Sequence, residues 1–281
     1  MKRKKIPQKP FEMEMLPSTR KAQFFDLVKH RFFLLLALGA VGTLFSLPII
    51  LGAFFNDMAF LSLESGSEEE ESGYSFMFEL IGYGIKGLGF PVLFFGLAGI
   101  LPIIKNLVWN EPIMMKEDFN QGLKDNGKTF LGLGFLCGIV YFLEGLIGLL
   151  FSKIPWFEAA IFAINLAFIF PLLLSSLFIS LYYSNGFIGT IQKAASFYFA
   201  HFPLLFLSCL SLFAPLLFVY IPIFILKYAL AIAWMVALFP LALLFALETH
   251  IYYFDKDINA NQFPAYFEKG LAPYYLKQEE K

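Results

Sequence analysis

Glu144 is the residue whose type and surroundings most invite chemistry. It is a carboxylate inside the apolar run Phe130 to Phe151, about seven residues from the end of that run and so roughly 10 Å inside it. Inserting an ionised carboxylate into hydrocarbon costs about 2.5–3.5 kcal/mol, so such residues face a bundle interior or a cavity and find polar partners. The same depth arithmetic places Asn165 and Trp234 at a similar level, and Lys86 reaches it by extending its aliphatic stem. The spacing predicts an intramembrane polar cluster of Glu144, Asn165 and Lys86 that opens to the outer side. Two roles fit such a cluster: a site on a translocation path, or a structural hydrogen bond that joins helices.

The elements that must hold these residues follow from composition. Of 281 residues, 58% are hydrophobic and 15% charged, with a mean hydropathy of +0.68, whereas a soluble domain carries about 25% charged residues. An ordinary soluble domain is excluded. The net charge of -1 removes the basic excess that a nucleic-acid binder needs. Six runs are long and apolar enough to cross a hydrocarbon layer of about 30 Å: Phe32 to Phe55, Gly87 to Ile104, Phe130 to Phe151, Phe157 to Leu181, Phe202 to Tyr220 and Tyr228 to Leu247. Pro222 marks a tight turn between the last two. The fold class expected is an all-α membrane protein with six transmembrane helices arranged as three hairpins.

Sorting the 21 basic residues by loop fixes an expected orientation. Eighteen fall on the side of the termini and only Lys86, Lys153 and Lys227 on the other, so both ends are assigned to the cytoplasm. A cleaved signal peptide fails on length, because the first apolar run has about 24 residues rather than about 7–15. The chain then divides into a basic cytoplasmic segment (1–31), a six-span domain (32–250) and a cytoplasmic tail (251–281). Residues 56–79, with the sequence SLESGSEEEESG at their centre, are expected to form a disordered acidic outer loop.

Short amphipathic stretches precede the first, third and fifth spans: Ser18 to Arg31, the set Met115, Phe119 and Leu123, and the set Phe187, Ile191, Ala194 and Tyr198. They are expected as separate interfacial helices on the cytoplasmic side. In the tail, Pro264 and Gly270 bracket an expected short helix. Gly134 and Gly138 form a G-x-x-x-G step that lets helix backbones approach closely.

Reactive templates are absent. Cys137 and Cys209 both lie in apolar runs, His30, His201 and His250 fall at the cytoplasmic rim, and no zinc-protease, Walker A or nucleophile-elbow pattern occurs. No cofactor, no metal and no enzymatic activity are expected, and the partner common to every reading is the lipid bilayer.

Ser46-Leu47-Pro48 with Gly52-Ala53, then Asp118-Phe119 with Gly122-Leu123-Lys124 and Asn126, and the phenylalanine-rich final hairpin resemble the YesL family of uncharacterised bacterial integral membrane proteins. The resemblance covers roughly Phe24 to Tyr253. It implies a multi-span bundle encoded near carbohydrate ABC transporters. From it follows the expectation of a transport-associated or accessory protein, with ABC transporter subunits or another membrane protein as partner. The alternative is a small secondary transporter with Glu144 in its path.

Overall fold

The structure is a computed structural model that describes residues 16–63, 68–151 and 154–272. Among these all regular structure is helical and no strand occurs. Three long helices come first: α1 (Arg20–Leu63), α2 (Glu68–Val108) and α3 (Met115–Leu150). At 41 and 36 residues α2 and α3 reach roughly 62 and 54 Å, well beyond the thickness of a bilayer core, and the 44 residues of α1 are divided by a kink at Arg31. The three pack antiparallel with α2 in the middle, and its contact with α3 is as extensive as that with α1. The core of the first half is therefore a three-helix layer rather than one isolated hairpin.

The second half is more broken. A π-helical turn at Asn165–Ile169 joins α4 (Pro155–Ile164) to α5 (Phe170–Tyr182). Helix α6 (Phe187–Ala200) meets α7 (Phe202–Leu210) at 104°. A 3-10 stretch, Ser211–Tyr220, continues α7. After a break at 221–223, α8 (Phe224–Ala237) runs into α9 (Phe239–Phe254) across a 47° bend. A second π-helical turn, Asp255–Asn259, leads to the short α10 (Ala260–Gln262). Among the described residues four helices are long and apolar enough to cross a membrane alone, and up to six spans result if each bent pair counts as one.

Prolines shape this packing through the carbonyls they orphan. A proline has no N–H, so the carbonyl four residues earlier loses its helical donor. The carbonyl freed by Pro91 belongs to Gly87 and faces Gly138 of α3. That freed by Pro102 belongs to Ala98 and faces Gly122, and that freed by Pro240 belongs to Val236 and faces Gly39 of α1. At each of the three glycines a Cβ would overlap the carbonyl oxygen. Such approaches are of the Cα–H to carbonyl kind that recurs at helix interfaces. The fourth case is solved by a hydroxyl: Pro171 frees the Ala167 carbonyl, and Tyr198 Oη donates to it at 2.5 Å. In an apolar medium every such group needs an internal partner.

Several expectations change. The acidic segment 56–79 is helical over its described residues, since α1 continues to Leu63 and α2 starts at Glu68, while residues 64–67 lie outside the described chain. Two of the three amphipathic stretches are separate helices: α6, and the first part of α1 up to the break at Arg31. The stretch before the third span is the first part of α3, and Phe119 from its apolar stripe packs on α2, filling the space beside Gly99. The stretch before the first span is, as expected, set apart from it, because non-helical backbone at Arg31 divides α1 into two helices. Residues 264–270 form turns rather than a helix. Much of the basic N-terminal segment (1–15), Lys153 and residues 273–281 of the tail lie outside the described residues.

Candidate functional site

The seam between α2 and α3 positions the first site. Gly138 lies against Gly87 and Gly134 against Pro91, so the expected glycine step is used, and Gly145 makes room for the Tyr83 ring. This approach sets Lys86 on α2 beside Tyr141 and Glu144 on α3. All three line a partly enclosed cavity of about 410 Å³ between α1, α2, α3, α4, the first π-helical turn, α5, the 3-10 stretch, α8 and α9. Its wall is mostly apolar, with Leu93, Phe94, Phe170, Phe213 and Met235 among the lining, and Trp234 also contributes.

Asn165 is buried at the start of the first π-helical turn, and its Nδ2 donates to Glu144 Oε2 at 2.5 Å. The extra residue of a π turn re-aims side chains, which is why such turns cluster at functional sites. Lys86 shares the cavity with the carboxylate. Its ammonium lies 4.6 Å from the Tyr83 ring centroid and 5.2 Å from that of Tyr141, within cation–π range. Among the described residues no carboxylate comes within ion-pair distance of it. Gly52 leaves the space that its stem occupies.

A second lysine completes this end of the cavity. Lys227 reaches both oxygens of Asp57 at 2.7 Å, and Tyr228 Oη donates to Asp57 Oδ2 at 2.8 Å. Sequence reasoning assigned Asp57 to a loop and missed this triad. The lysine directly after the Pro222 turn was the available signal.

The opposite end, where the termini meet, holds a buried polar cluster. Arg20 pairs with Asp255 at 2.7 Å, and Asn259 donates to Asp255 Oδ1 at 2.8 Å. Gln23 donates to the carbonyls of Val108 and Gly270, and Ala272 N–H to that of Pro17. Gly270, at φ +87°, adopts the backbone that glycine tolerates best. Tyr183 Oη donates to Asn259 Oδ1 at 2.8 Å, and burial, then Asp255, raise its phenol above the ordinary range. Glu248, only 4% exposed, sits near Arg20 and Asp255 with neither oxygen hydrogen-bonded among the described residues. Glu144 is thus not the only acid deep in the bundle. Glu248 escaped notice because it follows the last apolar run instead of interrupting it.

The histidines separate. His30 and His201 pair with Asp26 and Asp257, and the fully buried His250 contacts Ser175 Oγ at 2.9 Å and the Ala246 carbonyl at 2.7 Å. Among the described residues no three His, Cys, Asp or Glu side chains converge on a metal position.

No protein family, curated protein or solved structure matches the chain. The resemblance to the YesL family therefore rests on the quoted residues alone.

Proposed function

We propose that this chain is a six-span protein of the cell membrane with both termini cytoplasmic, and that its central cavity is the binding site of a small transporter with Glu144 in the translocation path. The cavity carries this reading: a closed, well-packed bundle would offer a solute no room, whereas this one holds about 410 Å³ beside an ionisable pair. Length supports the fifth span. The nine residues of α7 and the ten of the 3-10 stretch together reach about 33 Å at their respective rises. The division of the basic residues supports the orientation.

The accessory reading, association with subunits of a carbohydrate ABC transporter, draws on the YesL resemblance. The apolar wall bears on it as well. Sugar hydroxyls would lose their water there without replacement hydrogen bonds, so in this reading the sugar passes through the partner.

The test places a single cysteine in the wall, Ala231→Cys, in a background lacking Cys137 and Cys209, and applies a membrane-impermeant thiol reagent to each face of sealed vesicles. Labelling from the face bearing Asp57 and Lys227 is expected, and Glu144→Gln alters its rate. A residue sealed from both faces excludes the carrier. Unchanged labelling and unchanged folded yield in Glu144→Gln remove Glu144 from the path.

A further inference from the structure

We infer that Glu248 is a reversible proton-binding site at the junction of the termini. It is neutral while Asp255 alone holds Arg20, and on releasing its proton it takes up Arg20 Nε and the Tyr182 hydroxyl. The inference stands whether or not the central cavity carries a solute.

Arg20 Nε, Tyr182 Oη and both oxygens of Glu248 are buried and make no hydrogen bond among the described residues. Buried polar atoms without partners are rare, and each calls for a reason. The rest of the Arg20 guanidinium is engaged: Nη1 donates to Gln23 and to the Lys269 carbonyl, and Nη2 to Asp255. Two carboxylates that share one buried cation repel each other, so one of them keeps a proton. Asp255 has both oxygens bonded, to Arg20 Nη2 and Asn259 Nδ2. That arrangement assigns the charge to Asp255 and the proton to Glu248.

The charged and titratable groups around Glu248 are Arg20 from α1, Tyr182 and Tyr183 from α5 and Asp255 from the second π-helical turn. Lys105 of α2 and Lys269 lie over the Trp109 ring, and His250 of α9 contacts Ser175 and the Ala246 carbonyl. Glu248 follows the last apolar run and Tyr182 the fourth. Burial pushes the Glu248 carboxyl up, to about 8.

Two spaces flank the site. Tyr182 lines an open pocket of about 780 Å³ together with Lys193, His201 and Asp257, which gives the proton a route to water. Leu177 and Leu243 line the central cavity and stand five residues before Tyr182 and Glu248, about 7.5 Å along each helix. The proton is thus held among helices that also wall the cavity.

The test titrates the full chain in phosphatidylcholine nanodiscs by infrared difference spectroscopy, which reads the C=O stretch that only a protonated carboxyl shows. A band with its midpoint at about pH 8 is expected, lost in Glu248→Gln and kept in Glu144→Gln. Tyr182→Phe takes one donor from the ionised form and is expected to tighten proton binding about tenfold. Asp255→Asn frees Arg20 for Glu248 and is expected to weaken it about tenfold. A Glu248 band that titrates at about pH 4.3, as for a carboxyl in water, overturns the site. A band lost in Glu144→Gln instead overturns it and moves the proton to the central cavity. Unchanged proton affinity in Tyr182→Phe overturns the exchange of partners, and decides it even where Asp255→Asn fails to fold.

Discussion

Arg20 and Asp255 lie 235 residues apart in sequence and form an ion pair at 2.7 Å, each with its side chain less than a tenth exposed. The pair locks the start of α1 to the π-helical turn after α9, and Arg20 Nη1 also donates to Gln23 and to the Lys269 carbonyl. Removing one partner of a buried pair strands the other charge, at a cost of about 3–5 kcal/mol. Asp255→Asn is therefore expected to lower the unfolding free energy of the purified protein by that amount. A loss below about 1 kcal/mol, the range of exposed pairs, would show that solvent reaches Arg20.

Glu248 shares this environment and behaves in the opposite sense. Its two oxygens make no hydrogen bond among the described residues, so burial is an expense without return. Glu248→Met, close in volume, is expected to leave stability unchanged or to raise it. Thermal unfolding of the two variants side by side decides the matter. A loss equal to that of Asp255→Asn would mean that Glu248 holds Arg20 as firmly as Asp255 does.

The glycines divide into two groups. At Gly138 a Cβ would overlap the Gly87 carbonyl, whereas at Gly84 nothing lies within 4 Å. Gly138→Ala is expected to destabilise by about 1–3 kcal/mol through overpacking. Gly84→Ala is expected to stabilise by about 0.5–1 kcal/mol, because alanine loses less freedom in a helix. Equal effects at the two positions would remove the close α2–α3 seam.

Asn165 donates to Glu144 at 2.5 Å, and a hydrogen bond to a charged group contributes about 1.5–3 kcal/mol. Asn165→Leu is expected to lose that much stability, and the double variant Asn165→Leu with Glu144→Leu to recover part of it. Strict additivity in this cycle would show that the two side chains do not act on each other.

Tyr183 gives a pH signature. Its phenol is raised above its ordinary range, first by burial and then by Asp255, so the folded state favours the neutral form. The stability this contributes is whole below about pH 10 and declines as pH rises through the folded value. Tyr183→Phe removes the bond to Asn259 and is expected to cost about 1 kcal/mol at neutral pH. The gap between variant and parent narrows above about pH 10. A gap that stays constant to high pH would place the phenol in contact with water.

Particular residues show how far sequence reasoning reached. Glu144 with Asn165 was found because an acid interrupting an apolar run has few places to go, and depth arithmetic alone aligned the two. Lys86 was placed at the level of Glu144 and lines the same cavity, but that its ammonium lies over the Tyr83 and Tyr141 rings was not legible, since periodicity carries no information about which ring faces a neighbouring helix presents. Asp57 and Glu248 were passed over for one reason: each sits at the edge of an apolar run, where burial depends on what packs there rather than on neighbours in sequence.

Helical class, the apolar segments, the polar interruption at Glu144 and the close-approach glycines of α3 follow from composition and spacing, because hydrocarbon demands internally bonded helices and punishes charge wherever it falls. Only tertiary structure decided which proline-freed carbonyl faces which glycine, that Arg20 meets Asp255, and that nine segments enclose a cavity around Lys86 and Glu144. These are contacts between residues far apart in the chain, and their geometry is set by helix lengths, bends and packing that no local pattern encodes.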